Sequence, residues 1–173
     1  MSPILGIWAS AQQGANQPGD FVSIATTTVG AGGASTVTFS SIPSTYTHLQ
    51  VRGFLGGAGG ELNAYLNSDT TNANYYRHLL YGDGTSAAVA AANNPAMGSF
   101  TNTGAFVEDY LDYTSTNKNK VSRTLWGYDA NGSGYIGLYS YVWLNTSAIT
   151  TITYQRTTGN IPQYSSFALY GIK

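Results

Sequence analysis

The chain has 173 residues, enough for one ordinary domain, and no cysteine, which excludes structural disulfides and thiolate metal sites. Only 9% of its residues are Asp, Glu, Lys or Arg, against about 25% in an average soluble domain, and the formal net charge is -1. With so few and such scattered cations there is no nucleic-acid partner to expect, no apolar run approaches the roughly 18 residues of a membrane span, and no cofactor is implied.

Such a surface repels its own copies weakly, which favours a protein that lives in an assembly; an ordinary neutral β domain is the plainer alternative. The N-terminus lacks the basic start and apolar middle of a signal peptide, so the whole chain is expected to be the mature protein. Residues 1–20 read as an anchoring arm and linker. Ile4, Leu5, Ile7 and Trp8 have no strand partner in sight and are expected to bury on another chain, or else to fold back over the domain's own sheet edge, and a Gln, Asn, Gly and Pro linker follows them.

Residues 21–173 read as strands almost throughout, because short β-branched and aromatic runs alternate between Gly, Asn, Ser and Pro clusters. Strands are expected at 21–29 and 35–40, joined as a hairpin by Gly30-Ala31-Gly32-Gly33, then at 47–55 and 61–67, with a second hairpin across the Gly56 to Gly60 connection. The run 76–82 leads through Asp83-Gly84-Thr85 into the alanines of 87–92, expected as a helical turn or an irregular loop. Further strands are expected at 104–113, 120–128, 135–144, 149–156 and 165–172. Nine or ten strands give an all-β fold, an antiparallel two-sheet sandwich of the jelly-roll kind, with an extended N-terminal arm.

Chemistry is sparse. Nucleophilic catalysis would need a Ser or Thr activated by His48 or His78, and the surroundings of both histidines suit surface or structural roles. Glu108 and Asp112 share one face of their strand, which is the arrangement a glycosidase needs across about 5 to 10 Å, although an exposed polar face explains them as well. Asp109, on the other face with Val107 and Leu111, would need a partner such as Arg77, Arg123 or Arg156 if buried. Lys118, Lys120 and Arg123 read as a solvated loop. The run Asp129-Ala130-Asn131-Gly132 opens like a calcium loop, but Leu138 stands where the bidentate Glu belongs, so it reads as a hairpin turn. Neither catalytic nor metal-binding residues are therefore assigned.

Aromatic residues offer more. Tyr135, Tyr139, Tyr141 and Trp143 share one strand face, opposite Ile136, Leu138 and Val142. If the aliphatic side is core, the tyrosine side is an exposed interface or saccharide-stacking face; cross-strand aromatic pairing inside the sheet is the alternative.

Three phrases carry a family resemblance. They are the run Thr36 to Arg52 (TVTFSSIPSTYTHLQVR), Leu79-Leu80-Tyr81-Gly82-Asp83-Gly84, and the closing Phe167-Ala168-Leu169-Tyr170-Gly171-Ile172-Lys173. Together they resemble a family of small structural proteins of tailed-bacteriophage virions, and Ser2 to Ser10 resembles a segment found ahead of such domains. The resemblance implies a non-enzymatic role on the virion. A capsid decoration or cement protein is expected, held to the major capsid protein or another virion protein by its arm and associated with its own copies, as a trimer for instance. A tail-tip or tail-fibre module that contacts host saccharide is the alternative.

Overall fold

The computed structural model describes residues 20–57 and 59–173. The arm residues Ile4, Leu5, Ile7 and Trp8 lie outside them. Twelve strands follow in chain order: β1 (Phe21–Thr28), β2 (Thr36–Phe39), β3 (His48–Leu55), β4 (Glu61–Leu66), β5 (Tyr75–Gly82), β6 (Ala87–Ala92), β7 (Ala96–Ser99), β8 (Gly104–Leu111), β9 (Lys120–Asp129), β10 (Gly134–Trp143), β11 (Ile152–Arg156) and β12 (Ser166–Ile172). A 3-10 turn, Asn72–Asn74, precedes β5.

The strands form two antiparallel sheets. The large one runs β1-β12-β3-β8-β9-β10-β5-β6 and the small one β2-β11-β4-β7. The all-β, two-sheet expectation holds, and strand placement departs from the sequence reading at four points. Ala87–Ala92 is a strand, not a helical turn: the Asp83 carboxylate accepts the Thr85 and Ser86 backbone N–H groups and closes a tight turn, which lays the alanines antiparallel against β5. Ala96–Ser99 is an additional short strand, paired with β4. The expected β1–β2 hairpin does not form, because β1 pairs with β12 while β2 pairs with β11 in the other sheet. Gly33, at φ 76°, lets the chain cross there; a Cβ on it would stand 2.7 Å from the Ile161 carbonyl oxygen. The Gly56 to Gly60 connection likewise carries the chain between sheets and does not close a β3–β4 hairpin.

The core fills the space between the sheets. Val37, Phe39, Leu62, Leu66, Ile152 and Tyr154 come from the small sheet, and Leu49, Val51, Phe106, Trp126, Tyr141 and Phe167 from the large one. Stacked sheets lie about 10 Å apart, which large rings from one side bridge readily. Phe106 meets Tyr154 across the gap in this way and Phe167 within its own sheet, with ring centroids 5.9 and 5.8 Å away.

Candidate interaction surface

Strand β10 is where the sequence reading put its exposed aromatic face, and the structure turns that strand the other way. Tyr139, Tyr141 and Trp143 point between the sheets and are 4%, 1% and 1% exposed, while Ile136 and Leu138 on the opposite face are 62% and 49% exposed. The alternation was right and the choice of inner face was inverted. Size and hydrogen bonding explain the inversion: the gap takes large rings, and their polar tips find partners inside. Trp143 Nε1 donates to Asp69 Oδ2 at 2.8 Å, and the Tyr141 and Tyr110 hydroxyls lie 3.2 Å apart. Of the four residues expected on a saccharide face, only Tyr135 remains exposed.

The outward face of the large sheet is therefore apolar. Strand register places Val107, Leu125, Leu138, Leu80 and Val89 directly side by side across β8-β9-β10-β5-β6, forming one continuous row. They are 36% to 78% exposed. A parallel row four residues along each strand contains Leu111, Val121, Val142 and Tyr76. The outward face of the small sheet is different: Thr36, Thr38, Thr153 and Gln155 lie there, with a hydrogen bond between the Thr38 and Thr153 hydroxyls at 3.1 Å. One sheet thus shows the polar exterior usual for antiparallel sheets in water, and the other does not.

Between the two apolar rows runs a narrow polar one, Gln50, Asp109, Arg123, Ser140 and His78. Arg52 Nε donates to Gln50 Oε1 at 2.7 Å, and Gln50 Nε2 donates to Asp109 Oδ1 at 2.8 Å, so this chain of contacts orients the carboxylate. The Arg52 guanidinium in turn lies over the Phe21 and Tyr170 rings, 5.2 and 5.0 Å from their centroids. Asp109 is thus an outer-face residue held by Gln50. Arg123, its direct neighbour in register, makes no hydrogen bond or ion pair among the described residues.

The carboxylates once grouped on a polar face are separated. Glu108 is fully buried between Phe106 and Tyr110 on the inner face, where it accepts hydrogen bonds from Tyr154 Oη at 2.9 Å and Ser122 Oγ at 3.2 Å. Burial pushes its carboxyl up to about 7, and the Tyr154 and Ser122 hydroxyls partly oppose that rise. Burial also pushes Tyr110, Tyr141 and Tyr154 well above the ordinary tyrosine range, with the nearby Glu108 charge adding to it. Asp112 lies past the end of β8, where it pairs with Lys118 and stands 3.5 Å from His48 Nδ1. The two acids do not face a common space. Among the described residues no group of three or more His, Asp or Glu side chains is placed to hold a metal ion.

Lys120 also departs from its expected solvated loop. It is 1% exposed, and its ammonium group donates to the carbonyl oxygens of Ser115, Lys118 and Thr146. It ties the β8–β9 loop to the segment after β10. The signal in the sequence was its period-2 register with Ser122 and Thr124, both buried.

A second feature sits where the large sheet overhangs the edge strand β7. Glu61, Arg77, Tyr81, Trp126, Tyr128 and Tyr135 are among the residues that line a cleft of about 410 Å³. Arg77 donates to Glu61 at 2.6 Å and lies over the Tyr139 ring at 5.3 Å, while its Nε and Nη1 find no partner among the described residues. Tyr128 forms one wall together with Trp126 and Tyr135, its ring centroid 6.3 and 5.7 Å from theirs.

Comparison with protein-family models, with curated proteins and with solved structures finds no match for this chain.

Proposed function

We propose that this chain is a structural protein of a bacteriophage virion, a decoration or cement protein of the capsid that works by packing and binding and not by catalysis. The observation that carries this reading is the outward face of the large sheet, whose aliphatic rows are unlike the exterior of a protein that lives alone in water. The sequence resemblance supplies the virion. Its partners are the major capsid protein or another virion protein, together with further copies of the chain.

Strand pairing supports a jelly roll beneath this role. With β5, β6, β9 and β10 set aside, the remaining strands pair as β1·β12, β2·β11, β3·β8 and β4·β7, alternately in the large and the small sheet. Those are the four rungs of one long antiparallel ribbon folded over itself, as in the jelly rolls of viral capsids. The hairpins β5–β6 and β9–β10 then act as insertions that widen one sheet and build most of the apolar rows.

The arm is assigned the anchoring role. Deleting residues 2–18 leaves the domain folded and abolishes incorporation into particles, measured by the protein content of purified virions; retained incorporation sinks the arm assignment. The cleft favours a second reading, a tail-tip or fibre module that contacts host saccharide, since stacked rings beside an ion pair suit sugar faces and hydroxyls. A glycan array with the intact chain and with Tyr135→Ala tests it. Glycan binding that Tyr135→Ala weakens supports this reading, and the absence of any binding removes it.

A further inference from the structure

Where they cross β8 and β9, the two apolar rows and the polar row between them have a property that a surface made for an unlike partner would not need: they are complementary to themselves. Asp109 on β8 and Arg123 on β9 lie directly opposite one another in register. In the row on one side of them Val107 faces Leu125, and in the row on the other side Leu111 faces Val121. Laying a second copy over this face, with a two-fold axis parallel to the strands and running over the β8/β9 seam, exchanges β8 for β9. Within these two strands the acid then meets the base, and each of the four aliphatic side chains meets another.

We propose that the outward face of the large sheet is a homodimer interface closed by this two-fold, in which Asp109 of each protomer pairs with Arg123 of the other. Val107 packs on the partner copy's Leu125, and Leu111 on its Val121, on either side of the two reciprocal ion pairs. An isologous contact has this form, the same patch on both subunits, and a two-fold parallel to the strands suits sheets stacked with their strands nearly aligned. The Gln50 contact fixes the carboxylate in advance, so less side-chain freedom is lost on association.

Size agrees. Six strands about 4.8 Å apart, each contributing about six residues at a rise of about 3.3 Å, cover about 600 Å² per protomer and about 1,200 Å² in total, the lower end of specific interfaces. The net charge of -1 opposes such pairing very little. The inference goes beyond the proposed function in naming the face, the symmetry and the pairs, and it differs from a trimer, which a ring of unlike patches would build.

Light scattering coupled to size exclusion, applied to the full chain, tests it. The wild type runs as a dimer. Asp109→Arg alone and Arg123→Asp alone each place like charges in both reciprocal pairs, raise the dimer dissociation constant by at least about 30-fold and run as monomers. Mixed in equal amounts, the two variants recover a dimer, because each then supplies the charge that the other lacks. Leu125→Lys, at a 53% exposed position, also runs as a monomer with an unchanged far-ultraviolet spectrum. The chain lacking residues 2–18 still dimerises, which separates this outcome from the fate of the arm. A monomeric or trimeric wild type, a dimer indifferent to Leu125→Lys, or a mixture that stays monomeric would overturn the proposal.

Discussion

On the large sheet the inner face holds Tyr75, Glu108, Tyr110, Ser122, Thr124, Tyr141 and Trp143, while the outer face holds Leu80, Val89, Val107, Leu125, Ile136 and Leu138. Ranked by aliphatic side chains alone, the two faces of β8, β9 and β10 are the wrong way round. The inner face has the volume to fill a sheet-to-sheet gap of about 10 Å, and the polar atoms of Glu108, Ser122, Tyr110, Tyr141 and Trp143 find hydrogen-bond partners there. The outer face has apolar area and no large rings on its central strands. Burying a face inside one chain requires volume and satisfied polar groups, and burying it between chains requires only area and a match.

The largest expected effect lies on the inner face. Trp143→Ala removes a 1% exposed indole that stacks on Tyr75 and donates to Asp69, and the loss expected from urea denaturation is about 3 to 5 kcal/mol. A loss below about 1 kcal/mol would mean that β10 does not face the small sheet in this way.

Next comes the pH dependence set by Glu108. Its carboxyl lies near 4.5 in an unfolded chain and is pushed up to about 7 here by burial, so the folded state binds the proton more tightly. The stabilising contribution is fully present below about pH 4.5 and is lost as pH rises through about 7, a fall on the order of 3 kcal/mol. Glu108→Gln keeps a hydrogen-bonding group in place and should flatten that slope in melting curves taken between about pH 5 and 8. An unchanged slope would show that other groups set it.

The sequence made much of this legible. Most strands and the alternation along them follow from period-2 patterning, as in Gly104–Leu111, where Phe106 and Tyr110 share a side with Glu108. Which side faces inward was not legible, because Val107 and Leu111 look as buriable as Phe106 and Tyr110 until the opposing sheet is known. Ala87–Ala92 carries helix-favouring residues, and only pairing with β5 makes it a strand. Ala96–Ser99 is short, with one Gly and no β-branched residue, and left no pattern to read. Sheet assignment was beyond reach for a similar reason: the Gly30 to Gly33 break looks the same whether it closes a hairpin or crosses between sheets. The outer face was written in the sequence as Ile136, Leu138 and Val142, and was assigned to the core.

Close packing on the inner face gives a smaller expected effect. Gly53 on β3 stands opposite Phe106, and a Cβ there would fall 2.1 Å from that ring. Gly53→Ala must displace a ring already in contact with Phe100, Tyr154 and Phe167, which predicts a loss of about 1 to 3 kcal/mol by thermal or chemical denaturation. A neutral result would show that the Phe106 ring has room to move, and that the inner face is less tightly filled than its burial implies.

The smallest effect belongs to the outer face, and it tests the comparison most directly. Leu138 is 49% exposed at the centre of the apolar row, between Leu125 and Leu80. Replacing it with Thr removes apolar area and keeps a residue that strands favour, so the monomer should change by no more than about 0.5 kcal/mol. The measurement is urea denaturation at a protein concentration low enough for the wild type to be monomeric, so that association does not enter the result. A loss of more than about 1 kcal/mol would mean that the row is already packed within a single chain, and the two faces of the sheet would then differ in composition but not in role.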